Sequence, residues 1–165
     1  MTSFDPDRIL ETLGRHRVDY VLIGGFAGAA WGSDLVTFDL DICYGRDKTN
    51  LDRLAAALKE LGATLRGAPK GVPFQLDART LALGDSFTFD TSAGPLDCLG
   101  TPTGTKGYPD LAANAEVLDV DGHKVSVVSL DDLIRMKRSA GRTKDRAVIE
   151  GLSALRDERR GRKRP

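Results

Sequence analysis

Two aspartates interrupt a run that otherwise reads as a buried strand, Phe38-Asp39-Leu40-Asp41-Ile42-Cys43-Tyr44. Side chains alternate across a strand, so Phe38, Leu40, Ile42 and Tyr44 share one face, and Thr37, Asp39, Asp41 and Cys43 share the other. The first set suits a core. The second puts two carboxylates side by side, where like charges repel and neither tolerates burial without compensation. A hard divalent cation between them removes that penalty, because magnesium takes carboxylate oxygens in octahedral geometry. A solvent-exposed strand face with two unengaged aspartates satisfies the same pattern, so this segment alone does not choose.

The residues upstream narrow the choice. Asp19-Tyr20-Val21-Leu22-Ile23 reads as a buried strand that runs directly into Gly24-Gly25, and the Ala-rich stretch from Phe26 to Trp31 reads as a short helix ending at Gly32. Glycines at such a junction let the backbone approach a ligand closely, and the N–H groups at a helix start favour phosphate. A tight strand-to-helix turn with no ligand would use the same residues. Taken together, a glycine pair on one strand and paired aspartates on the next would hold a triphosphate and its magnesium at adjacent strand ends.

The remaining elements follow from periodicity and punctuation. Asp5-Pro6 opens a first helix with Ile9, Leu10 and Leu13 on its apolar stripe. Leu51, Leu54, Ala55, Leu58 and Leu61 recur at helical spacing before Gly62. Residues 63–85, broken by Pro69, Gly71 and Pro73, read as loop with a short helix near Asp77–Leu83. Ser86–Thr91 and Pro95–Leu99 pair across Ala93-Gly94, a short helix covers Asp110–Asn114, and Glu116–Val120 pairs with Lys124–Val128 across Asp121-Gly122. Two helices close the chain, from Leu130 and from about Lys144. This order predicts a mixed β-sheet flanked by helices with a C-terminal helix pair, in the α/β or α+β class.

Its 165 residues suffice for one domain with a real core, expected over 1–155. Lys plus Arg (24) equals Asp plus Glu (24), so no global bias toward nucleic acid or membrane is present. The balance is uneven, however. The last ten residues, 156–165, carry Arg156, Arg159, Arg160, Arg162, Lys163 and Arg164 against Asp157 and Glu158, and so read as a basic, flexible tail. Cys43 and Cys98 read as small buried hydrophobes rather than a disulfide framework. With no secretory segment at the start and no apolar run of membrane-spanning length, the expectation is a soluble, cytoplasmic protein.

The segment from Val21 to Gly25, the short helix, and Thr37-Phe38-Asp39-Leu40-Asp41-Ile42 together resemble the signature of the nucleotidyltransferase superfamily related to polymerase beta. Within it the chain is most similar to compact members grouped with AbiEii-type toxins and to the small antibiotic nucleotidyltransferases. The resemblance runs from about Asp19 to Leu155, and its C-terminal part is the helix pair spanning Ser129–Lys137 and Gly141–Asp145. It implies a nucleotidyltransferase fold and a third carboxylate on a later strand. Of Asp85, Asp90 and Asp97, the first two stand in or near turns, where solvated aspartate is ordinary. Asp97 lies mid-strand between Leu96 and Cys98, where aspartate is disfavoured, and is the choice.

The roles implied are then specific. Asp39 and Asp41 would bind the magnesium that grips a nucleoside triphosphate, and with Asp97 would hold a second magnesium at the acceptor hydroxyl. Gly24 and Gly25 would seat the phosphates. Lys137, on the stripe of Leu130, Leu133 and Ile134, would add a cation, and Asp145 would orient a basic partner. Relatives often carry an arginine where Leu35 stands and an acidic residue where Val148 stands. A tRNA 3′ end, a protein hydroxyl and a small hydroxylated antibiotic all remain open as acceptor, and a toxin-like member would have a cognate antitoxin as partner. A non-catalytic scaffold of the same fold, binding nucleotide or a protein, is the reading from a different class.

Overall fold

The computed structural model describes residues 3–69, 71 and 73–162. Among these, helix α1 (Pro6–Arg15) precedes strand β1 (Tyr20–Ile23), α2 (Gly24–Trp31), β2 (Leu40–Tyr44) and α3 (Lys48–Glu60). Then come β3 (Thr64–Leu65), α4 (Ala78–Leu83), β4 (Ser86–Thr91), β5 (Gly94–Leu99), α5 (Tyr108–Asn114), β6 (Glu116–Val120) and β7 (His123–Val127). Helix α6 (Leu130–Ala140), a 3-10 turn (Thr143–Asp145) and α7 (Arg146–Arg162) complete the described chain. No helix among the described residues is long and apolar enough to cross a membrane.

Local chemistry sets most of these boundaries. The Asp5 carboxylate accepts from the Arg8 N–H, and Pro6 begins α1 where its missing donor costs nothing. Ser129 accepts from the Asp132 N–H at the start of α6. Asp121 and Gly122, both at positive φ (50° and 89°), make the two-residue turn between β6 and β7 that suits the strand twist.

The strands form one mixed sheet in the order β3-β4-β5-β2-β1-β7-β6. β2 runs antiparallel to β1 and parallel to β5, and β1 runs parallel to β7. Ile9, Leu13, Leu22, Leu40, Ile42, Tyr44, Leu54, Leu58 and Phe89 are fully buried in the core. Burying a large aliphatic or aromatic side chain stabilises by about 1.5–3 kcal/mol. Cys43 and Cys98 are buried and free, and burial pushes the Cys43 thiol up to about 12, so neither is a ready nucleophile.

Three sequence expectations are corrected. β2 starts at Leu40, so Phe38 lies outside the strand and is 72% exposed rather than in the core. On the β1 side the partner ends at Ile23, opposite Asp41, because the chain there turns into α2, so residue 38 has no β1 residue to pair with. The segment expected to be loop contains β3, whose two residues pair with Asp90 and Phe89 and are too few to show a period. Finally, residues 156–162 do not form an unstructured tail but continue α7 to Arg162. Arg159 stacks on Trp31, 4.5 Å from the ring centroid, and Arg156 and Arg160 pair with Asp131 at 3.3 and 2.9 Å. A composition count treats these arginines as mutually repelling and cannot see partners on α2 and α6. Lys163 and Arg164, part of the same expected tail, lie outside the described residues.

Candidate active site

Pairing register, rather than proximity in sequence, assembles the carboxylates. In β2, Asp41 stands opposite Ile23 of β1 on one side and opposite Asp97 of β5 on the other. Cross-strand partners share a face, so Asp41 and Asp97 project together. Asp39, one step before the strand, joins them. Oxygens of all three lie within 4.8 Å of one another, and all three side chains are half-buried. Thr37 orients the first of these, its hydroxyl donating to Asp39 Oδ1 at 3.0 Å.

The junction after β1 presses against this group. Gly24 has φ +73°, and a Cβ built there would lie 2.2 Å from Asp41 Oδ2. Both the backbone conformation and the space therefore call for glycine. Gly25 is placed differently: a Cβ built there would meet the Thr37 side chain, which holds Asp39, at 3.4 Å, so the glycine lies close behind that residue rather than against Asp41.

Helix α6 closes the other side. A cavity of about 370 Å³ is lined by Gly24, Asp39, Asp41 and Asp97, by Lys137 and Arg142, and by apolar groups including Leu99, Leu133 and Met136. Lys137 and Arg142 are held from behind by Asp145, which is only 4% exposed. Its two oxygens lie 3.7 Å from Lys137 Nζ and 2.8 Å from Arg142 Nε. Asp145 thus stands where a residue that orients basic partners would stand. Arg142 escaped the sequence reading, although its spacing of three from Asp145 and its place in the turn after α6 were available as signals.

Arg66 also escaped it. This arginine follows the two-residue strand β3, and its guanidinium lies 3.0 Å from Asp97 Oδ1 and 3.1 Å from Asp90 Oδ1. Nothing local marks it, because its partners are 24 and 31 residues away. Asp85, the remaining candidate carboxylate, is bound instead by Arg46 and the Thr101 hydroxyl, away from the triad.

The electrostatics of the group are unfavourable as it stands. Burial, then the charges of Asp39 and Asp97, push the Asp41 carboxyl from 3.8 up to about 7, with Lys137 pulling the other way. Three convergent carboxylates are hard oxygen donors, and a bound dication would relieve this repulsion, so the residues fit magnesium. Against an open solvated face, the second possibility left by the sequence, the half-burial and this mutual repulsion weigh clearly.

No family model matches the chain, and no curated protein matches it in sequence. Solved structures do. A Thermotoga maritima protein described as a candidate nucleotidyltransferase is 15% identical, with 88% of each chain covered and a TM-score of 0.56. The antibiotic-resistance factor ANT(2'')-Ia is 15% identical over 95% of this chain and 90% of its own, with a TM-score of 0.55. The lincosamide antibiotic adenylyltransferase LnuA, solved with lincomycin bound, is 15% identical over 93% of this chain and 99% of its own, with a TM-score of 0.62. At that identity the shared property is architecture over nearly the whole length, and the chain has the nucleotidyltransferase fold.

Proposed function

We propose that this protein is a metal-dependent nucleotidyltransferase that moves a nucleoside monophosphate from a nucleoside triphosphate onto a hydroxyl acceptor. The observation that carries the reading is the convergence of Asp39, Asp41 and Asp97 within 4.8 Å in a cavity that also presents Lys137 and Arg142. Likeness in fold to nucleotidyltransferases supports it.

In the reaction, the acceptor oxygen forms a bond to the α-phosphorus, the bond to the bridging oxygen breaks, pyrophosphate leaves and the hydroxyl proton passes to water. When bound, magnesium would supply charge neutralisation on the triphosphate and acidify the acceptor hydroxyl. Asp39 and Asp41 would hold it from one strand end and Asp97 from the next. Gly24 keeps backbone, not side chain, beside the phosphates. Lys137 and Arg142, braced by Asp145, bind phosphate oxygens and hold the triphosphate for in-line attack. Lys137→Met should raise the Kd for a nucleoside triphosphate about tenfold, the loss of one charge-assisted contact.

Two acceptor classes divide on particular features. A hydroxylated small molecule suits a cavity of this size, and the neighbours that are an antibiotic-resistance factor and a lincosamide antibiotic adenylyltransferase act as a guide. An RNA end is favoured by Arg138, Arg142, Lys144 and Arg146, four exposed cations close together in sequence, of which Arg142 lines the cavity. Incubation with α-labelled nucleoside triphosphates, magnesium and either total RNA or a panel of hydroxylated small molecules separates them. Label should appear on one acceptor class and vanish in Asp97→Ala. With all four nucleotides and both panels unlabelled, the non-catalytic scaffold would replace this reading.

A further inference from the structure

We propose that Arg66 is a positioning residue and built-in counter-ion for Asp97, and that its charge sets how tightly the triad takes a divalent cation. The inference rests on the reading of Asp39, Asp41 and Asp97 as a metal site.

The sheet itself delivers Arg66 to the triad. The Arg66 N–H donates to the Thr88 carbonyl at 2.9 Å, extending the β3–β4 pairing by one residue. Thr88 stands opposite Asp97, and Asp97 opposite Asp41. Arg66, Thr88, Asp97 and Asp41 therefore form one row across the sheet, on one face. From the end of that row the guanidinium reaches over Thr88. Its Nη2 donates to Asp97 Oδ1 at 3.0 Å and to the Phe89 carbonyl at 2.8 Å, while Nε donates to Asp90 Oδ1 at 3.1 Å.

Three acceptors in three directions fix a planar fork. That fork engages one oxygen of Asp97 and pins the carboxylate plane. It also places a permanent positive charge beside the one cluster of three converging carboxylates among the described residues. A dication entering the triad is repelled by Arg66 while being attracted by the carboxylates. Metal affinity is thus tempered, and Asp97 is kept oriented. If Arg66 were only a clasp on the sheet edge, its loss would lower stability and leave metal affinity alone.

Manganese binding to the full chain without nucleotide, followed by electron paramagnetic resonance or calorimetry, separates these roles. Arg66→Met should tighten manganese binding at least about threefold, the sign expected for removing a nearby like charge. Arg66→Lys, which keeps the charge but not the fork, should bind manganese within about twofold of wild type and still turn over more slowly at unchanged nucleotide KM. Should Arg66→Met fail to fold, Arg66→Gln removes the same charge and retains a donor for the Phe89 carbonyl. Unchanged or weakened manganese affinity in the uncharged variant would overturn the inference and leave the metal site standing. Wild-type protein that takes no manganese, or takes it equally well as Asp39→Asn with Asp41→Asn, would overturn both.

Discussion

Replacing Asp41 by asparagine removes one of three converging negative charges, and in the absence of metal the protein should become more stable at alkaline pH. The native Asp41 carboxyl is pushed up to about 7, against 3.8 for the ordinary group, first by burial and then by Asp39 and Asp97. Because the native value lies above the unfolded one, protonation favours the native state. That stability is fully present below the unfolded value and is lost as pH rises through about 7. At alkaline pH the ionised site therefore costs on the order of 4 kcal/mol. Rotation of the carboxylates and entry of water take back part of this, leaving about 2 kcal/mol, or about 4–8 °C in Tm for a chain of this size. Thermal unfolding in a chelator at about pH 5 and about pH 8.5 measures it. Asp41→Asn should exceed wild type by only a minor part of this amount at the lower pH and by the whole of it at the higher, and saturating magnesium should reverse the order. Equal displacement of the variant at both pH values would refute the repulsion argument.

Two other substitutions probe the scaffold around the site. Gly24→Ala puts a Cβ 2.2 Å from Asp41 Oδ2 at a residue with φ +73°. It should cost about 1–3 kcal/mol and abolish the magnesium-dependent rise in Tm, read by thermal denaturation with and without the ion. Truncation after Leu155 removes the Arg159–Trp31 stack and both arginine pairs to Asp131, and should cost about 1–2 kcal/mol in chemical denaturation.

Much of the candidate site was legible in the sequence because its signals are local. Alternation points Asp39 and Asp41 to the same side, and they do converge although Asp39 lies one step before β2; a strand-to-helix junction marks Gly24, and helical spacing puts Lys137 on the buried stripe of α6. Asp97 could be chosen among three candidates because a mid-strand aspartate between apolar neighbours is anomalous in itself. Tertiary structure alone decided the rest. Only the parallel register of β2 with β5 sets Asp97 beside Asp41, and register is a property of two strands more than fifty residues apart. Arg66 reaches Asp97 only because a two-residue edge strand pairs with β4, and two residues carry no period. The arginines of α7 reverse from a solvated tail to a docked helix because Trp31 and Asp131 receive them. Phe38 leaves the expected strand because its partner strand ends at Ile23. In each case the deciding energy comes from a partner distant along the chain, and a local pattern holds no information about it.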